Sequence, residues 1–255
     1  LVKLVASTDG GSVVVQSDKG DPRIRLLSNP EGSAVAVFNN AGTYRKQGNT
    51  TSTLEATFHN TGTVEVQAGV LSLSRGGSAG AEGSIRLDAG ATLRFNAGTF
   101  ELNDTTVTGT GTFQVAGTFD STTSVIHTGT TTLAGQLSLV GGTLFANGTL
   151  NAGSYAQTAN YAFVDGTGTV DVAGAATWSD GNLVGTGTIN FRGDLSITGA
   201  GDKAISGGRV IHLYGTTTWS GATAVNTNDF YTGPGTIHNH GTFVDDNAFN
   251  TIVRD

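Results

Sequence analysis

The chain has 255 residues, of which 39 are Gly and 40 are Thr, and it contains no Cys. The absence of Cys excludes a disulfide scaffold, a thiolate metal site and a cysteine nucleophile. A net charge of −7, from 13 basic and 20 acidic residues, argues against a protein that binds nucleic acid through phosphate contacts. No run of about 18 apolar residues is present, so the sequence predicts no transmembrane segment.

Residues 1–58 are the least regular part of the sequence. Short apolar runs predict strands from Ser12 to Ser17, from Ile24 to Leu27 and from Ala34 to Phe38. We interpret this segment as irregular first coils or a cap, continuous with a regular region over residues 59–255. A cap is expected because the open end of a stacked array otherwise exposes unpaired strand edges.

From residue 59 onward, short triplets alternate apolar, polar and apolar residues. This period of two is typical of a strand with one buried face. No segment has the apolar spacing of a helix, and Gly and Asn separate the triplets, so the sequence predicts an all-β fold. The triplets are Val64–Val66, Leu71–Leu73, Leu93–Phe95, Phe100–Leu102, Phe113–Val115, Leu137–Leu139, Val170–Val172, Ile189–Phe191 and Leu195–Ile197.

A Gly-Thr word followed by an apolar residue recurs along the chain. Its copies at 109–117, 166–174 and 185–193 align without gaps, and Gly233–Gly241 is a fourth copy. The first three copies start 57 and 19 residues apart, which indicates a unit of about 20 residues. Such a unit buries its apolar face only by stacking on its neighbours, so we predict a parallel β-solenoid of roughly 12 rungs. A two-sheet sandwich is the alternative, but a sandwich has no reason to repeat one word at this spacing.

The residue types suit the positions of a coil. We expect Gly to supply positive φ angles where the coil turns a corner, and Thr to form ladders on the outer faces. The general preference of parallel crossover connections predicts a right-handed β-helix.

Part of the repeat resembles a known family of proteins. The segment Asn60–Leu73, followed by the word at residues 90–95, resembles repeats of large secreted bacterial surface proteins. These are the parallel β-helix segments of autotransporter and filamentous-haemagglutinin-type adhesins. The resemblance covers most of residues 40–245 and concerns repeat style, with no catalytic motif. It implies export to the bacterial surface and an adhesive or scaffolding rod.

Carboxylates are the first candidates for chemistry, because a glycosidase needs two of them about 5–10 Å apart. Adjacent rungs of a solenoid would place stacked residues about 5 Å apart. Asp is also a common turn residue, and these positions share no single phase of the repeat, so a role in turns is the favoured interpretation. The candidates are Asp88, Asp104, Asp120, Asp165, Asp171 and Asp180.

Histidine and tryptophan give two further candidate sites. His238 and His240 alternate on one strand face and, with His212 and Asp245 or Asp246, form a weak candidate for a metal site. Trp178 and Trp219 lie about two rungs apart, so they would align on one face and could bind carbohydrate if exposed. Burial in the core is the favoured alternative for both tryptophans.

Threonine ladders suggest ice binding as a further alternative. The Thr-x-Thr words would need to recur in nearly every rung and in register to form such a face. They occur at Thr108, Thr110 and Thr112, at Thr167 and Thr169, and at Thr186 and Thr188, which is a minority of rungs.

Taken together, these features predict a structural or adhesive solenoid segment of a bacterial extracellular surface protein, without catalysis and without a cofactor. Expected partners are other surface-protein subunits or solenoid ends, glycans and host or matrix surfaces. The alternatives are a polysaccharide lyase or hydrolase that uses an Asp pair, and ice binding. The first residues are too polar for a signal peptide, so we expect a mature or excised chain.

Overall fold

A computed structural model describes the chain from residue 37 to 247, apart from 119–122, 202, 222–223 and 228–232. Outside that range it describes only the backbones of a few strands. The described residues form 32 β-strands, β1–β32 in chain order, and no helix. The all-β parallel solenoid predicted from the sequence is confirmed, with about 20 residues per turn.

The first strands form an antiparallel meander. They are β1 (Lys3–Val5), β2 (Ser12–Gln16), β3 (Arg23–Ser28) and β4 (Ala34–Asn40). Each pairs antiparallel with the next, and β4 then pairs in parallel with β7 (Thr57–Asn60). Strand pairing therefore changes from antiparallel to parallel at β4, which precedes the boundary drawn at residue 58 from the sequence.

From β4 onward the chain winds through three faces, A, B and C, in that order. Face A continues after β7 with β10 (Gly77–Ala79), β13 (Gly98–Asn103), β16 (Thr123–Thr128), β18 (Gly142–Ala146), β20 (Ala162–Asp165), β23 (Gly181–Leu183), β26 (Lys203–Ile205), β29 (Val225–Asn226) and β32 (Val253–Arg254). Neighbouring strands of face A come from successive turns and pair in parallel.

Faces B and C share two long strands, β17 (Thr130–Leu139) and β19 (Thr149–Gln157), which pass from B to C through an irregularity between Leu133 and Gln136. The other strands of face B are β5 (Thr43–Lys46), β8 (Thr63–Val66), β11 (Ser84–Leu87), β14 (Thr106–Thr108), β21 (Thr169–Val172), β24 (Thr188–Phe191), β27 (Val210–Leu213) and β30 (Thr236–Asn239). The other strands of face C are β6 (Thr51–Leu54), β9 (Val70–Leu73), β12 (Thr92–Phe95), β15 (Thr112–Val115), β22 (Ala176–Trp178), β25 (Leu195–Ile197), β28 (Thr216–Trp219) and β31 (Thr242–Asp245).

The solenoid has about nine turns in its described part, fewer than the number obtained by dividing the chain length by the repeat length. Part of the difference is the antiparallel meander, which contributes no coils. The count also leaves out residues beyond the described part, and longer turns lower it further. Phe100 pairs with Val125 and Ile211 pairs with Ile237, so these two turns are several residues longer than the regular repeat.

Alternate residues of each strand point into a continuous apolar core. On face B, Val170 stacks on Ile189, which stacks on Ile211, and none of the three is more than 2% exposed. The stacking repeats turn after turn, so each apolar side chain is covered by the coils on both sides. A lone coil has no such cover, which is why the stacked repeat is the unit of stability.

The Gly-Thr words lie at corners, and the two glycines of each word are required for different reasons. Gly166 and Gly185 have φ angles of +102° and +88°, as expected for a turn. The second glycines, Gly168 and Gly187, are required for close approach, since a Cβ on either would lie 2.1 Å from a carbonyl oxygen of the previous coil. Positive φ, the reason expected from the sequence, therefore explains only the first glycine of each pair.

The gap-free alignment of these words hides a change of face. The copy that starts at Gly109 leads into β15 on face C, whereas the copies at Gly166 and Gly185 lead into β21 and β24 on face B. The stretch between the first two copies thus spans a non-integral number of turns. The same two-glycine word therefore serves at corners between different faces of the coil.

Candidate functional site

The outer surface of face B carries a column of small hydroxyl side chains. The strand register aligns Thr43, Thr63, Ser84 and Thr106 on one stretch, and Thr130, Thr149, Thr169, Thr188, Val210 and Thr236 on another. Of the threonines that suggested ice binding, Thr169 and Thr188 are neighbours in this column, while Thr112 lies on face C. Thr110, Thr167 and Thr186 lie in corners.

A second column on face B, two residues along each strand, is charged or polar. It begins with Arg45, Glu65 and Arg86, where the Nε atom of Arg45 lies 2.6 Å from a carboxylate oxygen of Glu65. It continues over the later turns through Thr132, Asn151, Asp171, Asn190, His212 and His238. The column next to the threonine column therefore contains charged side chains of several types. A flat Thr-x-Thr face needs two regular threonine columns, and face B has one.

The C-terminal end of face B gathers five ring-bearing or cationic side chains into one exposed group. We call Arg192, His212, Tyr214, His238 and His240 the histidine patch. The rings of His212 and His238 stack with centroids 4.9 Å apart, and those of Tyr214 and His240 also stack at 4.9 Å. Arg192 lies over the Tyr214 ring, 5.4 Å from its centroid.

Two imidazole nitrogens of this patch approach each other directly. The Nδ1 atom of His212 lies 2.9 Å from the Nε2 atom of His240, and both rings are open to solvent. The pKa of His212 is lowered, first by partial desolvation and then by its neighbours His238 and His240. Arg192 is held by Asp171 through two hydrogen bonds of 2.6 and 2.5 Å, and this pairing raises the pKa of the arginine.

The structure thus brings together the three histidines that the sequence named, and adds Arg192 and Tyr214, which sequence reasoning did not connect to them. The sequence does contain a signal for this grouping. Arg192 and Tyr214 each lie two residues after a paired outward residue, Asn190 and His212, so both point outward on successive turns. Of the two suggested carboxylate partners, Asp245 pairs with Trp219 on face C instead, and the backbone N–H of Asp246 donates to the carbonyl oxygen of Trp219. Among the described residues, no group of three or more His, Cys, Asp or Glu is arranged to hold a metal ion.

The two tryptophans occupy one column, as their spacing predicted, and they face inward, as in the favoured interpretation. Trp178 pairs with Ile197, which pairs with Trp219, so the tryptophans stand two turns apart. They are 1% and 3% exposed, and the Nε1 atom of Trp178 donates to the carbonyl oxygen of Gly181. Carbohydrate binding by these residues depended on exposure, and burial of the large indole rings in the core leaves no ring face for a sugar.

The described candidate carboxylates are engaged in local structure and do not form pairs on adjacent coils. Asp165, at the end of β20, and Asp180, just before β23, each accept the backbone N–H of the following glycine, at 2.5 and 2.7 Å. Asp104 accepts the N–H of Thr130 at 2.8 Å. Asp88 pairs with Arg86, Asp171 pairs with Arg192, and Asp120 lies outside the described residues.

Two concavities of the described structure lie near these residues. A shallow depression of about 430 Å³ lies on face B beside the histidine patch, where small residues such as Ala134, Gly153 and Ala173 leave room next to Asp171 and Arg192. A narrow apolar cavity of about 20 Å³ lies in the core near the C-terminal coils, lined by residues that include Trp178, Trp219 and Phe243. Its purely apolar lining offers no partner for a water molecule.

Comparison with known protein families, curated proteins and solved structures finds no match. The described residues contain no helix with the length and apolar character needed to cross a membrane.

Proposed function

We propose that this chain is a structural and adhesive solenoid segment of a bacterial extracellular surface protein, and that it acts without catalysis. The observation that carries the proposal is the parallel stacking of successive coils over about nine turns, with strand pairing that is continuous along faces A and C. At about 4.8 Å per turn, this makes a rigid body of roughly 40–45 Å whose three outer faces run along its length.

The use of the polar side chains supports this proposal. The described candidate aspartates accept backbone N–H groups or pair with arginines, and most of the described large aromatic side chains fill the core. What faces solvent is a set of ordered columns on flat sheets, a surface suited to extended contacts with a partner or a polymer. The resemblance of residues 60–95 to adhesin repeats, together with the lack of Cys and Met, supports an exposed extracellular setting.

Adhesion and turnover can be measured on the same material. Beads coated with the folded chain are tested on a glycan array and on immobilised matrix proteins, with beads coated with the unfolded chain as the control. In parallel, the chain is incubated with pectate, alginate and hyaluronate, and new reducing ends and unsaturated products are assayed. We expect binding that needs the folded rod and no product, whereas product formation would replace this proposal with a polysaccharide-degrading enzyme.

Ice binding is the second candidate, favoured by the threonine column of face B. That column runs in register through Thr130, Thr149, Thr169 and Thr188. The charged column beside it, which includes Asp171, disfavours a flat face of uniform hydroxyl and methyl groups. A thermal-hysteresis measurement that stays flat would remove this candidate.

A further inference from the structure

The histidine patch holds three of the five histidines of the chain. They lie on β27 and at β30, which are adjacent strands of face B on successive turns, and His212 is in direct register with His238. His240 is two residues beyond His238, so its side chain leaves the same face of the sheet. Because these strands are hydrogen-bonded to each other, the positions of the three Cα atoms are fixed by the fold.

The two nitrogens now face each other as hydrogen-bond partners, and their separation is short enough for both to reach one metal ion after the rings turn. Metal–imidazole bonds are about 2.0–2.1 Å long, so two nitrogens that stay 2.9 Å apart subtend an angle of about 90° at a shared ion. Angles of this size belong to square-planar and octahedral coordination, whereas a tetrahedral ion needs a wider separation. Imidazole ligands in a square-planar arrangement are typical of Cu²⁺ and Ni²⁺.

We propose that His212, through Nδ1, and His240, through Nε2, form a two-imidazole site for a late divalent transition metal, with Cu²⁺ bound most tightly. Solvent completes the coordination on the open side of the exposed rings. A rotation of each ring about its Cβ–Cγ bond directs both lone pairs to one point, and the proton now shared between the nitrogens moves to the other nitrogen of its ring.

The charged groups beside the two imidazoles form a neutral pair. The nearest cation, Arg192, is neutralised by Asp171 on the adjoining strand, and Tyr214 separates the guanidinium from His240. His238 stacks on His212 and acts as a positioning residue that limits the tilt of that ring.

The test is a titration of the full chain, prepared without a polyhistidine tag, with Cu²⁺, Ni²⁺ and Zn²⁺ by isothermal calorimetry. We expect one equivalent of Cu²⁺ to bind in a saturable way, more tightly than Ni²⁺ or Zn²⁺. H212Q and H240Q should each weaken Cu²⁺ binding by at least about ten-fold, and H238Q should weaken it less. H59Q serves as the matched control, because His59 is a partly exposed histidine of face A, bonded to Ser78.

Electron paramagnetic resonance of the Cu²⁺ complex gives a second readout. We expect hyperfine splitting from two nitrogen ligands in the native chain and from one in H240Q. Binding should also stabilise the last coils, so Cu²⁺ should raise the melting temperature of the native chain more than that of the folded H240Q variant. The proposal is overturned if Cu²⁺ binding is not saturable, if H59Q weakens it as much as H240Q does, or if the spectrum lacks nitrogen splitting.

Discussion

At the scale of single residues, the tightest constraint on the sequence is the close approach of successive coils at the corners. A Cβ on Gly168 would lie 2.1 Å from the carbonyl oxygen of Gly148, a separation that real Cβ atoms do not show. The obstacle is backbone that is already hydrogen-bonded into the neighbouring coil, so it has no freedom to move aside. Gly80, in contrast, has no atom within 4 Å of the position that a Cβ would take, and its φ angle is not positive.

We therefore expect G168A to destabilise the fold and G80A to leave it almost unchanged. The strain of the added methyl group should cost G168A about 1–3 kcal/mol. The gain for G80A from a less flexible unfolded chain should not exceed about 1 kcal/mol. Urea unfolding followed by circular dichroism measures both, and equal midpoints for the two variants would contradict the close-approach argument.

His127 is a residue whose charge opposes folding. It lies in the core of face A between Leu102 and Ala146, is fully buried, and neither ring nitrogen has a hydrogen-bond partner among the described residues. Burial lowers its pKa, an effect that the charge of Asp104 only partly offsets. The folded chain therefore holds His127 neutral.

We predict a loss of stability as the pH falls below about 6.5, the ordinary pKa of histidine. Below that pH, His127 binds a proton in the unfolded chain but not in the folded chain, so the free energy of unfolding decreases. Above it, His127 is neutral in both states. The difference in melting temperature between about pH 7.5 and about pH 5 should shrink in H127L. H212Q is measured alongside, because the lowered pKa of His212 acts in the same direction, and an unchanged difference in H127L would refute the assignment.

At the scale of elements, one arginine side chain forms hydrogen bonds with the backbone at the corners between faces A and B. Arg209 is fully buried and donates from Nε to the carbonyl oxygen of Val184 at 2.7 Å. Its Nη2 also donates to Val184, and to the carbonyl oxygens of Val164 and Gly166 at 3.3 Å each. These acceptors belong to two earlier coils, and the missing side chain of Gly187 leaves room for the guanidinium.

Replacing Arg209 should loosen these corners. Burial lowers its pKa to about 10, with Asp165 acting in the opposite direction, so the guanidinium is still charged at neutral pH. R209M removes all of its donors, so the carbonyl oxygen of Val184 loses two hydrogen bonds, while those of Val164 and Gly166 keep the backbone N–H groups of Val184 and Gly187. The loss should cost about 1–3 kcal/mol. R86M, at an exposed arginine of face B, is the control and should cost less than about 1 kcal/mol. Chemical denaturation that ranks the two variants the other way would contradict the role of Arg209.

At the scale of the whole molecule, the solenoid is a linear array in which each coil is stabilised by the coils on either side. The last described coil is different. Strands β30 and β31 pair only with β27 and β28 among the described strands, and every residue of β31 is exposed. Phe243, in register with the buried Thr217, is 39% exposed.

Amide hydrogen exchange should follow this linear order. We expect the slowest exchange in the central strands β18 to β21, which have a partner on both sides, and much faster exchange in β30 and β31, although these are also hydrogen-bonded. Mass-spectrometric mapping of peptides measures this directly. Uniform protection along the array would show that the chain opens as one cooperative unit.

The sequence by itself determined the all-β class, the parallel solenoid and the turn length, because an apolar–polar alternation and a regular Gly-Thr repeat can be read without knowledge of contacts. It also determined that Trp178 and Trp219 share a column, since their spacing equals about two turns. The tertiary structure decided that this column faces the core, because the spacing of two residues along the chain is the same for an inward and an outward column.

The corners and the candidate site were decided by the tertiary structure. The similar words at Gly109 and Gly166 begin strands on different faces. Corners vary in length, so the number of residues between two words does not show how many corners lie between them. The histidine patch joins two strands whose separation along the chain exceeds the regular repeat. The approach of His212 to His240 therefore depends on a long corner whose path the repeat does not encode.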